Sequence, residues 1–311
     1  MKYNTLGNTG LKVSELCLGT MTFGGRGWWT SIGSLPQQEV NNLVKQALDE
    51  GVNFIDTANV YSEGLSEQMT GKAIQDLGIN RDDLVIATKV RGAMGAGPND
   101  SGLSRKHIIQ QAEASLKRMD TDYIDLYQIH GFDPQTPMEE TMDALDRLVQ
   151  DGKVRYIGCS NLAAWQIMKA NGIATQNQLH KFISLQAYYT IAGRDLEREV
   201  IPMLQDQNIG LMVWSPLAGG LLSGKYGRNK TTEEGRLKNF DFPPVDKEKA
   251  FDIIEQMEKI AQSKNATVAQ IALSWLLHQP ATTSVIIGAN KPAQLQDNLK
   301  SVNIELSREE L

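Results

Sequence analysis

The amino-acid sequence predicts an α/β fold, a (β/α)₈ TIM barrel that takes in the whole chain, residues 1–311, as a single domain. Three observations support this prediction. Short apolar runs alternate with segments of helical periodicity, the pattern of parallel strands joined by helices. Eight such runs are present, which is the number that closes a barrel. The G-x-G-x-x-G fingerprint of a doubly wound Rossmann sheet is absent after the first run.

The chain opens with a predicted β-hairpin over about residues 1–13. Polar and apolar residues alternate on both sides of the sequence Gly7-Asn8-Thr9-Gly10, which is typical of a turn. The eight barrel strands are predicted from apolar runs that end in polar residues or glycine. They are Leu16–Gly19, Asn53–Asp56, Leu84–Lys89, Tyr123–Gln128, Val154–Cys159, Phe182–Gln186, Leu211–Trp214 and Ser284–Ile287.

Amphipathic segments between and after these strands predict the helices. Ser104 can cap the helix that begins at Arg105, and Gly152 follows Asp151, where glycine is typical of a helix end. The helices are Gln37–Glu50, Ser66–Leu77, Arg105–Met119, Met138–Asp151, Ala163–Asn171, Glu197–Asn208 and Pro292–Lys300. The long interval after the seventh strand predicts a loop over about 216–245 and two extra helices, Lys247–Lys264 and Val268–Leu277.

Composition excludes several classes of partner. A net charge of -6 and the lack of a basic cluster argue against nucleic acid. No apolar run reaches the ~20 residues that span a membrane, and the N-terminus lacks the apolar stretch of a signal peptide. Cys17 and Cys159 have no metal-ligand spacing and fall in apolar segments, so we expect two core residues and a cytoplasmic protein. Nothing in the sequence indicates an oligomeric state.

Polar and ionisable residues gather at the carboxyl ends of the predicted strands. In an all-parallel barrel this is the end that carries the chemistry. Any one of these residues could be a helix cap or a solvated charge, but their convergence on one rim favours a functional site. The residues are Gly19, Thr20, Asp56, Tyr61, Lys89, His130, Ser160, Asn161, Gln186, Trp214, Ser215 and Gly288.

Four of these side chains fit the reduction of a carbonyl group. Tyr61 could give a proton to the developing alkoxide, although a free phenol with a pKa of about 10 is a reluctant acid. A buried Lys89 beside it would lower that pKa, and Asp56 would keep the ammonium charged. His130 would donate a hydrogen bond to the carbonyl oxygen and polarise it.

Five motifs in a fixed order point to a known family. They are DTANVY at 56–61, TK at 88–89, DYIDLYQIH at 122–130, GCSN at 158–161 and WSPLAGGLLSGKY at 214–226. With this order the chain resembles the aldo-keto reductase superfamily, in particular its bacterial-type members, over nearly its whole length. The resemblance implies a (β/α)₈ barrel, NADPH bound without a Rossmann fold, and a catalytic tetrad of Asp56, Tyr61, Lys89 and His130. No metal is implied.

The same resemblance implies a cofactor site. Ser160, Asn161 and Gln186 match positions that bind the nicotinamide carboxamide, and Trp214 matches the aromatic residue that stacks on its ring. The glycine-rich loop, with Lys225, would cover the pyrophosphate through its backbone N–H groups. The expected cofactor-binding residues are Gly19, Thr20, Met21, Asp56, Ser160, Asn161, Gln186, Trp214, Ser215, Pro216, Leu217, Gly219, Leu221, Gly224, Lys225, Gly288, Asn290, Lys291, Gln294 and Asn298.

The adenosine end departs from the family pattern. Many relatives have arginine at the position of Asn290 and a further basic residue at Gln294. Only Lys291 remains as a local charge for the 2′-phosphate. NADPH is the expected cofactor, with NADH as the alternative.

Aromatic residues on the rim loops indicate the substrate side of the site. Trp28, Trp29, Phe132 and Tyr189 could form an aromatic wall beside Tyr61 and His130. We therefore expect a small-molecule aldehyde or ketone as the substrate, either aromatic or sugar-derived.

Three alternatives stay open at this point. Gly219-x₄-Gly224-Lys225 resembles a Walker A loop, but Tyr226 stands where serine or threonine should reach Mg²⁺. Metal-assisted hydrolysis would need further histidines at the rim, and the other three lie in helical or pre-strand segments. The segments 102–109, 137–141 and 214–220 also resemble potassium channel β subunits, which act partly as binding modules and often lack histidine at the position of His130.

Overall fold

The structure is a computed structural model that describes residues 1–228, 230, 237 and 242–311. The chain begins with a hairpin in which β1 (Tyr3–Thr5) pairs antiparallel with β2 (Lys12–Ser14). The hairpin covers the amino-terminal end of the barrel. A β-carbon at Gly7, whose φ is +59°, would lie 2.2 Å from the carbonyl oxygen of Ile183, so only glycine allows this close approach.

Eight parallel strands form a closed barrel, which confirms the predicted fold class. They are β3 Leu16–Gly19, β4 Phe54–Asp56, β5 Val85–Val90, β6 Ile124–Ile129, β7 Val154–Ser160, β8 Phe182–Tyr188, β9 Gly210–Trp214 and β10 Thr282–Ile287. β10 pairs with both β3 and β9, and this pairing closes the ring. Each predicted strand overlaps one of these, with ends that differ by one or two residues.

Helices surround the barrel. They are α1 Gln37–Asp49, α2 Leu65–Asp76, α3 Arg105–Met119, α4 Met138–Gln150, α5 Ala164–Gln176, α6 Val200–Gln207, α7 Lys247–Lys264, α8 Val268–Leu277 and α9 Pro292–Leu299. Two predicted ends were wrong. α5 continues past Asn171 because that side chain bonds β8, its Oδ1 accepting from the N–H of Phe182 at 2.9 Å. α6 begins at Val200 because a separate 3₁₀ turn occupies Asp195–Glu197.

The barrel interior is apolar below the rim. Side chains from alternating strand positions fill it, and Leu6 and Val13 of the hairpin close it from the amino-terminal side. Phe54, Leu126 and Met212 are fully buried there. The polar side chains at the rim therefore lie above a tightly packed apolar core.

The predicted cofactor-covering loop over 216–245 lies partly outside the described residues, namely 229, 231–236 and 238–241. Its first part forms a 3₁₀ segment, Ala218–Ser223. The two extra helices are α7 and α8, and their bounds match the prediction. Across the described residues, no helix is both long and apolar enough to cross a membrane.

Candidate active site

Four predicted residues meet at the carboxyl end of the barrel. Asp56 ends β4, Lys89 lies near the end of β5, and His130 follows β6 directly. Tyr61 comes from the loop after β4. Three neighbouring strands therefore bring the tetrad together.

Lys89 is the centre of this group. Its side chain is fully buried, and Nζ donates to Asp56 Oδ2 at 2.5 Å, to the carbonyl oxygen of Thr57 at 2.8 Å and to Tyr61 Oη at 3.2 Å. Burial opposes the charged form, but the charge of Asp56 and the contact with Tyr61 outweigh it, so the pKa of Lys89 is raised. The lysine is therefore a fixed positive charge beside the phenol.

Two amides hold the other oxygen of Asp56. Gln128 Nε2 donates to Oδ1 at 3.1 Å and Gln186 Nε2 donates at 2.8 Å. The sequence reasoning assigned Gln186 to the cofactor and missed Gln128. Period-two alternation along β6, which places Gln128 on the same face as His130, could have identified it. The carboxylate is thus fixed by amide donors on one side and Lys89 on the other.

The loop that carries Tyr61 has an unusual backbone. Ser62, Glu63 and Gly64 all have positive φ, at 49°, 56° and 87°. Two consecutive non-glycine residues in this region are strained, and such strain persists only where neighbouring contacts impose it. Ser62 Oγ donates to the carbonyl oxygen of Phe23 at 3.1 Å. This turn fixes the direction in which the phenol points.

His130 faces Tyr61 edge-on, with ring centroids 5.8 Å apart and planes at 75°. Burial, together with the positive charges of Lys89 and Arg91, lowers the pKa of His130 to about 3. The imidazole is therefore neutral at physiological pH, and it can act as a hydrogen-bond donor without carrying a charge.

Predicted nicotinamide-binding residues form a connected set. Ser160 Oγ donates to the carbonyl oxygen of Gln186 at 2.9 Å. Asn161, in the left-handed region at φ 56°, donates from Nδ2 to Ser160 Oγ at 3.0 Å and accepts at Oδ1 from Trp214 Nε1 at 2.9 Å. The indole of Trp214 also lies parallel to the ring of Phe242, with centroids 5.8 Å apart. Polar groups and a flat aromatic surface thus lie side by side.

A cavity of about 690 Å³ extends along the rim. This size is typical of small-molecule and cofactor sites. The predicted residues that line it are Gly19, Thr20, Met21, Trp28, Trp29, Asp56, Tyr61, His130, Ser160, Asn161, Gln186, Trp214, Ser215, Pro216, Leu217, Gly219, Lys225, Gly288, Asn290, Gln294 and Asn298. The sequence reasoning missed Ile32 and Phe242, which also line it.

Besides the buried Lys89, five predicted cofactor- or substrate-binding residues do not line this cavity. Tyr189 is buried, donates from Oη to Glu197 Oε1 and packs against Trp275, so it belongs to the core. Phe132 packs edge-on against Trp165. The other three are Leu221, which is buried, Gly224, which packs against Val268, and Lys291, which is exposed.

In the first part of the glycine-rich loop, the main chain of two glycines borders the cavity. Gly220, with φ +103°, lines the cavity, and a β-carbon there would meet no atom of the described residues within 4 Å. Gly219 donates its N–H to Ser215 Oγ at 3.0 Å. Gly220 therefore leaves space for a bulky anionic group beside the main chain, as a pyrophosphate requires.

At the far end of the cavity, Gln294 Oε1 accepts from the N–H of Asn290 at 3.0 Å. Asp297 is held by Thr267 and Gln270, whose donor groups lie 2.8 Å from its two oxygens. This end is polar and uncharged apart from Asp297, and the exposed Lys291 lies beside it. The residues therefore fit an adenosine group.

The other histidines lie away from the rim. His107 is buried in α3, His180 contacts Asp146 and His278 contacts Glu305. Within the part of the chain that the structure describes, no group of three or more His, Cys, Asp or Glu side chains could hold a metal ion.

Comparison with known proteins agrees with this geometry. The model of the aldo/keto reductase family matches residues 15–311. A putative voltage-gated potassium channel subunit beta of Schizosaccharomyces pombe is 40% identical over 312 residues, covering 96% of this chain and 88% of the relative. Versiconal hemiacetal acetate reductase of Aspergillus parasiticus is 37% identical over 330 residues, covering 100% and 95%.

A putative aryl-alcohol dehydrogenase of Schizosaccharomyces pombe is 37% identical over 334 residues, covering 99% of this chain and 93% of the relative. Relatives with oxidoreductase names thus match along the whole barrel. Aldo/keto reductases generally use NAD(P)H, and the cavity described above suits such a cofactor. The chain belongs to the aldo/keto reductase family.

Proposed function

We propose that this protein reduces aldehydes or ketones to alcohols with NADPH, and that Tyr61 is the proton donor. The observation that supports the proposal is the buried Lys89 ammonium, which lies between the carboxylate of Asp56 and the hydroxyl of Tyr61 at the cavity wall. A positive charge in this position stabilises the phenolate form of Tyr61, which is the form that remains after proton transfer.

The residues of the cavity fit the proposed cofactor. Trp214 and Asn161 would hold the nicotinamide, the backbone at Gly220 would approach the pyrophosphate, and Gln294 and Asn298 would contact the adenosine. When bound, NADPH supplies the hydride that the carbonyl carbon accepts. NADH would fit the same groups, whereas the 2′-phosphate of NADPH would have the exposed Lys291 as its candidate cation.

Side chains of the protein supply the proton and stabilise the charges that form when it is transferred. Tyr61 gives its phenolic proton to the carbonyl oxygen, and the charge of Lys89 stabilises the phenolate that remains. Asp56 offsets the cost of burying that ammonium. The neutral imidazole of His130 donates a hydrogen bond to the same oxygen, which stabilises the charge that develops there.

The aromatic pair of Trp28 and Trp29, which lines the cavity, supports an aromatic substrate. Trp28 stacks on Trp29 with centroids 4.1 Å apart, and Trp29 meets the ring of Tyr61 edge-on at 5.4 Å. Flat apolar faces beside the proton donor suit a planar aryl aldehyde. The name of the aryl-alcohol dehydrogenase relative agrees with this proposal.

Replacing Tyr61 by phenylalanine tests the proposal. We expect Tyr61→Phe to lower kcat for benzaldehyde by at least about 100-fold, because the general acid is lost. The Kd of NADPH, measured by fluorescence titration, should stay nearly unchanged. Tyr3→Phe makes the same chemical change at the opposite end of the barrel and serves as the control. Retained kcat in Tyr61→Phe would remove the phenol from this role.

A second candidate function is a cofactor-binding regulatory subunit. Three of the relatives are named as potassium channel β subunits, at 36% to 40% identity. The intact tetrad, with His130 beside Tyr61, favours the enzyme. Steady-state turnover of an aldehyde with NADPH would support the enzyme, whereas tight cofactor binding with negligible turnover would support the subunit.

A further inference from the structure

Arg91 lies just outside the residues that line the cavity, beside the wall residue His130, whose pKa its charge lowers; we call this position the lip. It follows β5, two residues after Lys89, and its Cδ, Nε and Cζ atoms pass 3.5–3.8 Å from the position that a β-carbon on Gly131 would take. Gly131 is the residue after His130. Nε donates to the carbonyl oxygen of Phe132 at 3.0 Å. This bond fixes the direction of the guanidinium group on the lip.

The outer edge of that guanidinium remains available. Among the described residues, Nε makes the one hydrogen bond of the Arg91 side chain, and no carboxylate lies within ion-pair distance. Asp133 lies close by, but its oxygens already accept from three local donors, the N–H groups of Leu103 and Gln135 and the hydroxyl of Thr136. Among the described residues the two terminal nitrogens of this exposed side chain therefore have no hydrogen-bond partner, while Nε already orients it.

Aromatic rings lie next to this charge. Phe132 meets Trp165 edge-on with ring centroids 6.2 Å apart, and Trp165, at the start of α5, is 58% exposed. Aromatic and arginine side chains together are typical of binding sites. Phe132, whose carbonyl oxygen accepts from Arg91, follows His130 by two residues on the same loop.

From this arrangement we infer that Arg91 is a specificity-determining residue, which binds a carboxylate on the substrate while the carbonyl group lies at Tyr61 and His130. The substrate class is then aromatic aldehydes that carry an acidic group across the ring from the reacting carbon. The inference rests on the proposed function. The planar guanidinium has two N–H groups on its outer edge, and these match the two oxygens of a carboxylate. Because Nε is already bonded, little side-chain freedom is lost on binding.

Three aldehydes that differ in one substituent test the inference. Benzaldehyde, 4-formylbenzamide and 4-formylbenzoate share the reacting group, and the last two share their shape. We expect kcat/KM for 4-formylbenzoate to exceed that for the amide by about fivefold, mainly through KM, as for a partly exposed ion pair. Arg91→Gln should abolish this preference, Arg91→Lys should keep part of it, and added salt should weaken it.

Arg155→Gln is the matched control. It removes the same charge from an exposed arginine near the amino-terminal end of β7, and the preference should survive. Turnover of all three aldehydes without a preference for the carboxylate, or a preference that Arg91→Gln retains, would overturn the inference alone. If none of the three is reduced with NADPH or NADH, the proposed function fails and the inference fails with it.

Discussion

The charged ammonium group of Lys89 is fully buried. A buried ammonium is costly unless it is paired and fully hydrogen-bonded, and here Asp56, Thr57 and Tyr61 accept its three protons. The partner carboxylate is in turn bonded by Gln128 and Gln186. Removing any one member leaves a buried charge or donor unpaired, so the group is held as a unit.

The lowered pKa of His130 makes the stability of the folded protein depend on pH. Its pKa is about 3 in the folded protein and 6.5 in the unfolded chain, so the unfolded chain binds more protons between these values. Stability is therefore lost as the pH falls below about 6.5. In urea unfolding between pH 7 and pH 4.5, we expect wild type to lose about 2 kcal/mol more than His130→Gln, given the partial exposure of the ring. Parallel pH curves for the two proteins would contradict this.

Single-residue roles were predictable where strand ends determine them. The tetrad follows from polar residues after apolar runs, because parallel strands bring their carboxyl ends to one rim. Tyr189 was wrongly expected in the cavity wall, since a residue just past a strand can turn either toward the rim or back into the core. Here the Tyr189 hydroxyl donates to the carboxylate of Glu197, and its ring packs against Trp275, so the side chain turns away from the cavity. Such a choice depends on partners distant in the fold.

Between elements, the most constrained junction joins α2 to β5. Glu67 is fully buried, and its two oxygens accept from Thr88 Oγ1 and Arg118 Nε, each at 2.5 Å. Thr88 precedes Lys89, and Arg118 lies directly under Gly64 in the strained turn after Tyr61. The Glu67 carboxylate therefore fixes the strand that carries Lys89 relative to the loop that carries Tyr61.

Thr88→Val tests this junction. Loss of the hydroxyl leaves a buried oxygen of Glu67 with one donor fewer, so we expect the free energy of unfolding to fall by about 1.5 kcal/mol. We also expect a severalfold lower kcat at unchanged cofactor Kd, because the distance between Lys89 and Tyr61 is no longer fixed. Thr70→Val removes a buried hydroxyl of α2 that bonds only the carbonyl oxygen of Ser66. It should leave kcat unchanged, and an equal loss in both variants would contradict the positioning role.

Element boundaries were less predictable than element order. Asn171-Gly172 is typical of a helix end, yet α5 runs to Gln176 because Asn171 bonds β8 and Gly172 faces open space. A local stop signal is overridden when the side chain finds a tertiary partner. Alternation of strands and helices depends on many residues together, so the barrel itself could be derived from the sequence.

At the scale of the whole molecule, the cavity at the rim is lined by residues from distant parts of the chain. It reaches from Trp28 before α1 to Asn298 in α9. A cofactor bound along it would contact the beginning and the end of the chain at once, and it would stabilise the folded state by about 2.7 kcal/mol at a concentration 100 times its Kd. The adenosine end of the site was less predictable from the sequence, because Asn290 stands where many relatives have arginine.

Cofactor preference can be tested at that end. We expect NADPH to bind more tightly than NADH, because Lys291 would offer a positive charge to the 2′-phosphate, and Lys291→Ala to reduce that preference. Lys225→Ala should instead weaken the binding of both cofactors by a similar factor, since Lys225 lines the cavity and its charge would face the pyrophosphate common to both. Kd values from fluorescence titration measure these effects, with the exposed Lys300→Ala as the control. Equal Kd values of the two cofactors for wild type would contradict the expectation.

The hairpin that covers the amino-terminal end of the barrel has a practical consequence. Met1 packs beside Gly51, just before β4, and so lies at the opposite end from Tyr61 and His130. An attachment through the first residue, such as a surface tether or a fused domain, would leave the catalytic face toward the solution. Immobilised in this orientation, the protein should keep the access to small molecules that it has when free.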